Sequence, residues 1–291
     1  MLKLLYISRW GAVLDLVNND MFTLTNVDGL TNANTTISTI DIGNQDGDKI
    51  NNIRANPRGI VLDLRINQTV NVEDAKRYIT SIVKLKQTGT LQWTQNNRTI
   101  EIQGKVESVE MPRFSDAVMM QISLHCEQPF WEDINDIVST ISEALDLHYF
   151  TTTAGDMLYF PQTGIPFGVY DFSRTRTFNN GGDVAVGMVI EVHAYKTVTN
   201  PIIYDQSGNF FGVGYTGNNK TLTMSAGDIL LIDTRAGQKS VSLNGTSVLN
   251  KVKPQSTWLQ LEAGENEFSI NSDDEETDNM IFNISYKQRY I

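Results

Sequence analysis

A chain of 291 residues, 40% hydrophobic and 20% charged, is long enough to bury about 75% of its unfolded surface without staples, and at roughly 100–200 residues per domain it forms about two domains. With 34 acidic against 23 basic residues and a formal charge of −11, it excludes a surface that grips phosphates by counterion release. One cysteine, Cys126, excludes an internal disulfide, and no uncharged apolar run reaches the roughly 18 residues of a helical membrane span.

At the N-terminus, MLKLLYISRWGAVLDL is interrupted by Ser8, Arg9 and Asp15 before it reaches the length of a secretory leader. This predicts a soluble, unprocessed chain folded in a cytoplasm. Short apolar runs at 3–8 and 12–16 read as strands. In IVLDLRI (60–66), Ile60, Leu62, Leu64 and Ile66 alternate with Val61, Asp63 and Arg65, which predicts a half-buried strand. Before it, the Gly- and Asn-rich segment DIGNQDGDKINN (41–52) reads as a long loop between strands.

A helix is predicted over 71–88. Asn71 can cap it, Glu73 and Asp74 sit at its positive end, Lys84 and Lys86 near its negative end, and Gly89 can terminate it. Ala75, Tyr78, Ile79, Ile82 and Val83 form one stripe that packs on a sheet. Strands follow at 90–94, 99–111 and 117–127, the first two joined by a turn at Asn96-Asn97. IVSTISEALDLHYF reads equally as a short helix or a strand pair. From about residue 184 the chain becomes a series of short strands with turns every 8–12 residues, the pattern of a sandwich or jelly roll. Asn244-Gly245 is the strongest hairpin signal there.

Chemistry is sparse. His125 and Cys126 adjoin in a predicted strand, so their side chains point to opposite faces and cannot share a proton. A catalytic cysteine would need His148 or His193. Cys126 falls in line with Ile122 and Leu124, which predicts a structural thiol. Three scattered histidines and one cysteine make no zinc cluster. Asn44, Asp46 and Asp48 have a calcium-loop spacing, but Gly47 falls between ligands and no Glu closes the loop. It and SDDEETDN (272–279) read as solvated loops. No phosphate loop and no GxSxG elbow is present. Catalytic residues, cofactors and metals are therefore all expected to be absent. Two enzymatic or ligand-binding alternatives remain: a glycosidase built on two carboxylates, and a carbohydrate-binding sandwich with Tyr195, Tyr204, Phe210, Phe211 and Tyr215 as its platform.

HCEQPFWED (125–133) reads as a joint between domains. Pro129 lacks an N–H and biases Gln128 to an extended conformation, so the strand ending near Glu127 cannot simply continue. Phe130 and Trp131 can then pack into the domain just completed, while Glu132 and Asp133 turn outward. The expected division is an N-terminal domain, 1–132, and a C-terminal domain, 133–291, with the boundary falling somewhere within 128–176.

The order of NQDGDKI (44–50), PRGIVLDLRI (57–66), EDAKRYI (73–79), EIQGKVESVE (101–110) and CEQPFWED (126–133) resembles the distal tail (Dit) proteins of tailed bacteriophages. FNNGGDVAVGMVIEV (178–192), GDILLIDTRAGQKSVSLNG (227–245) and WLQLEAGEN (258–266) continue the resemblance. It implies a mainly β, non-enzymatic virion protein at the distal end of the tail, made in the host bacterial cytoplasm. It further implies an N-terminal β domain with one helix that closes into a homo-hexameric ring, and a C-terminal galectin-like β-sandwich. Implied partners are the tail tube protein, a tail-tip hub protein and receptor-binding or baseplate proteins, with DNA passing an open channel and no membrane insertion. Because a closed ring requires two different complementary surfaces per protomer, the loop around Gly43, Asn44, Gln45, Asp46, Gly47 and Asp48 is expected to reach a neighbouring copy.

Overall fold

A computed structural model describes residues 3–31, 33–43, 46–111, 118–140, 143–145, 169–171, 175–217, 219–274 and 280–291. The chain is mainly β, with one α-helix among the described residues. It forms two units: an N-terminal unit of Met1–Asn135 joined by Arg289–Ile291, and a C-terminal unit of Asp136–Gln288. The chain thus changes unit three residues after the expected division at 132/133 and returns for its last three residues.

In the N-terminal unit the strands are β1 (Lys3–Ser8), β2 (Val13–Asp15), β3 (Phe22–Asp28), β4 (Thr35–Asp41), β5 (Asp48–Ala55) and β6 (Arg58–Ile66). After the helix α1 (Val72–Ile82) come β7 (Thr88–Gln95), β8 (Arg98–Glu110), β9 (Met119–Cys126) and β10 (Trp131–Asp133). An antiparallel sheet runs in the order β2-β1-β7-β8-β9-β6-β3, with β10 attached along β8 and the C-terminal pair Arg289–Tyr290 attached in turn to β10. Period-two patterning puts Ile60, Leu62, Leu64 and Ile66 of β6 and Met120, Ile122, Leu124 and Cys126 of β9 into one core. Asn96 and Asn97, both at positive φ, make the tight β7–β8 turn.

The helix starts as expected, with the Asn71 side chain accepting from the Glu73 amide, and it sends Ala75 and Ile79 into the core. Its end corrects the expected 71–88 span, because the helix stops at Ile82. Val83 is already extended (φ −93°, ψ 98°), its side chain lies in the core, and the Lys86 amide bonds the Val106 carbonyl at 3.0 Å. Contact with the sheet ends the helix before any glycine cap. Gly89 instead sits inside β7 opposite Ser8, where a Cβ would come within 2.4 Å of the Tyr6 ring.

A second correction concerns 41–52. Half of the expected loop is strand: β4 and β5 pair from Thr35↔Ala55 to Asp41↔Asp48 as a separate two-stranded hairpin. Alternating β-branched residues favour that pairing. The hairpin is inserted between β3 and β6 and is called the arm below.

Among the described residues the C-terminal unit holds two larger antiparallel sheets and two separate strand pairs. β11 (Ile137–Thr140), β12 (Glu143–Leu145), β13 (Val169–Asp171), β14 (Thr175–Asn180), β15 (Val189–Ala194), β16 (Val198–Thr199), β17 (Ile202–Asp205) and β18 (Phe210–Gly212) precede β19 (Thr223–Met224), β20 (Ile229–Asp233), β21 (Ser240–Leu243), β22 (Thr246–Ser247), β23 (Gly264–Asn271) and β24 (Met280–Tyr286). One sheet runs β11-β24-β15-β20-β21-β22 and the other β14-β23-β17-β18. Ile190, Val192, Ile232 and Ile284 from the first and Phe178, Ile203, Phe211 and Phe268 from the second share one core, as in a two-layer sandwich. The Asn244-Gly245 turn joins β21 to β22 with both residues at positive φ. Where described, 137–176 is strand after a bend at 134–135; His148 and most of that stretch lie outside the described residues.

Candidate interaction surfaces

The arm leaves the sheet through a tightly held root. Gly29 turns the chain at φ +82°, where a Cβ would lie 2.0 Å from the Gly59 carbonyl oxygen, so only glycine fits. The Leu30 carbonyl accepts two hydrogen bonds, from Arg58 Nη1 at 2.9 Å and from Trp131 Nε1 at 3.1 Å. Above the root, the Asn56 amide bonds the Asn34 carbonyl at 2.8 Å, and Thr36 Oγ1 bonds Asn56 Oδ1 at 2.8 Å.

Trp131 is 1% exposed and packs edge-on against Trp93, centroids 5.9 Å apart. Pro129 is buried and Phe130 half-buried. Of the two acids after them, Glu132 is paired, accepting from Arg289 Nε at 2.8 Å. Arg58 is the functional-looking residue that sequence reasoning missed. It is 4% exposed, its Nε and Nη2 have no acceptor, and burial pushes its pKa below the ordinary value, opposed by Cys126 across the strand pair. Its only signal was a charged residue opening the β6 alternation on the apolar face.

Every residue of β4 is exposed, and so is every residue of β5 except Ala55. A register shift after Ser38 leaves Asn51 unpaired, so that Ile37 faces Ile53 and Ile50 faces Thr39. Gly43, Asp46, Gly47 and Asp48 lie at or beside the exposed tip; Asn44 and Gln45 lie outside the described residues.

The remaining candidates are accounted for within their own units. Cys126 is fully buried beneath Gly104, and burial pushes its thiol up to about 11, Arg58 partly opposing. His125 lies on the exposed face. His193 pairs with Glu191 on its own strand at 3.2 Å. No cluster of metal-ligating side chains occurs among the described residues. Of the proposed aromatic platform, Phe211 is core and stacks on Trp258 at 4.7 Å, while Tyr204 and Phe210 pack on each other; Tyr195 is 59% exposed. A polar cleft of about 230 Å³ lies beside Trp258, Asp205 and Asn266. Asp205 is spent on the Ser207 and Asn209 amides and the Asn209 side chain, and Asn266 on Glu262 and Gly264.

Residues 181–290 match the family model of the siphovirus-type tail component, C-terminal domain. Over 100% of both chains, the fold is similar to the crystal structure of the SPP1 Dit protein, described as a paradigm of the hub adsorption apparatus in phages infecting Gram-positive hosts, with a TM-score of 0.66 at 14% identity. A chain of the phage P2 baseplate in its activated conformation with Ca gives 0.47 at 12% identity, covering 99% of this chain and 98% of that one. No curated protein matches.

Proposed function

We propose that this chain, whose residues 181–290 match the siphovirus-type tail component domain, is a Dit-type protein and a non-enzymatic hub: a homo-hexameric ring at the distal end of the tail. As a structural tail and baseplate component, it would join the tail tube to the tail-tip hub and to receptor-binding or baseplate proteins. The C-terminal sandwich, read as galectin-like, would face those outer partners, while residues 129–131 act as the joint through which the chain leaves the ring domain.

The observation that carries this reading is the arm. A two-stranded hairpin alone in water is marginally stable, and this one has exposed isoleucines and, among the described residues, no third strand. It fits a chain completed by its neighbours. A charge of −11 per copy suits a channel that DNA traverses without being held. The polar cleft supports a carbohydrate-binding alternative less well, since Asp205 and Asn266 already spend their hydrogen-bonding capacity inside the protein.

Light scattering followed by negative-stain imaging tests the ring: the expected result is a six-copy particle with an open centre. Deleting 43–49 should abolish that particle and leave folded monomers. Hexamers that survive the deletion would remove the arm tip from the interface, and polysaccharide binding by a persistent wild-type monomer would favour the alternative.

A further inference from the structure

We infer, resting on the ring reading, that the arm of one copy docks on the far edge of the next copy's nine-stranded sheet, on a receiving surface made by Trp10, Val13 and Leu85.

The arm supplies an apolar face of defined composition. Because of the bulge at Asn51, Ile37, Ile50 and Ile53 share one side, at 54%, 55% and 57% exposure, while Ile40, opposite Lys49, takes the other. Three adjacent exposed β-branched residues form a patch of the kind that marks association.

A second apolar patch lies at the other end of the sheet order. The arm is rooted between β6 and β3, at one edge; β1 and β2 form the opposite edge. There Trp10 is 70% exposed, Leu85 56% and Val13 49%. Trp10 Nε1 donates to Gln87 Oε1 at 3.1 Å, which ties the β1–β2 turn to the turn that carries Leu85 and makes them one surface. Two unlike apolar patches on opposite edges of one sheet are what head-to-tail closure requires, since each copy must give with one edge and receive with the other.

Charge points to the same pairing. The arm's tip carries Asp41, Asp46 and Asp48 against Lys49, all exposed. Around the receiving patch lie exposed Arg9, Lys84 and Lys86, Arg9 with its guanidinium 5.7 Å from the Trp10 ring centre, against Glu107 next along β8. Opposite signs at the rim fix register and speed encounter. The occupant is therefore a second copy of this chain.

Two variants separate this pairing from the ring itself. In Trp10→Ser/Leu85→Asp both changed side chains are exposed, so the fold should persist by circular dichroism. The concentration for half-assembly should rise about a hundredfold with two apolar anchors lost. Wild-type-like assembly by this variant would overturn the receiving surface and leave the ring reading intact. Separately, an Ile50→Cys chain and a Leu85→Cys chain are mixed in equal amounts, assembled and treated with a short bismaleimide. Unlike dimers are expected from the mixture and not from either chain alone, with buried Cys126 silent. Rings that form without unlike cross-links would place the arm elsewhere. A wild-type chain that remains monomeric at every concentration would sink the ring reading and this pairing together.

Discussion

Cys126 illustrates how little chemistry an HC pair in a strand implies. Its side chain is fully buried beneath Gly104, opposite Arg58, and burial raises its pKa from 9.0 to about 11. The thiol is therefore protonated in the folded chain at pH values where the unfolded chain ionises. Its stabilising contribution is fully present below pH 9 and is lost as pH rises through about 11. The size is on the order of 2–3 kcal/mol. Unfolding free energies of the wild type and Cys126→Ala between pH 8 and 11 check this: the wild type should lose more than the variant. Parallel curves would mean that the thiol does not carry the slope. Tyr6, whose hydroxyl is buried without a partner and whose pKa burial also raises, contributes equally to both curves and cancels.

Among elements, the root of the arm ties Trp131 to a hairpin about a hundred residues earlier in the chain, through the Leu30 carbonyl. Trp131→Ala should cost about 3–5 kcal/mol, as for a buried large aromatic. Trp131→Phe keeps most of the ring volume but leaves that carbonyl with only its bond from Arg58, a smaller loss of about 1 kcal/mol. Urea unfolding of both variants measures the difference; a loss below about 1 kcal/mol for the alanine variant would make Trp131 a surface aromatic. Strands β6 and β9 were legible because one face meets the core, so burial writes a period of two into Ile60–Ile66 and Met120–Cys126. The helix start was legible because Asn71 caps locally. Its end was not, since Val106 and Tyr6, which draw 83–89 into the sheet, are remote in sequence. The arm was only half visible: with nearly all of it exposed, no burial pattern constrains its side chains, and the bulge at Asn51 breaks the alternation of Ile50 and Ile53. Arg58, Trp10 and Leu85 left still less trace, because a lone charge or lone apolar residue carries no periodic signal.

At the scale of the whole molecule, the chain leaves the N-terminal unit after Asn135 and returns at Arg289. There Tyr290 pairs with Trp131 and Arg289 with Glu132, and Arg98 lies over the Tyr290 ring, 3.4 Å from its centre. Removing 289–291 should destabilise the N-terminal unit by about 3 kcal/mol, chiefly through the lost burial of Tyr290, and leave the C-terminal unit unchanged. Hydrogen exchange resolved by peptide reads the two separately, and faster exchange spread evenly over both units would refute the assignment. This closing strand also sets an order of events during translation. Arg289 lies 157 residues beyond Glu132, so at roughly 5–20 residues per second it is synthesised about 8–30 s later. β24, which pairs with β11 and β15 inside the sandwich, is made only three residues earlier, so through nearly all of that interval neither unit can close, and the arm waits on an open sheet until both are sealed together.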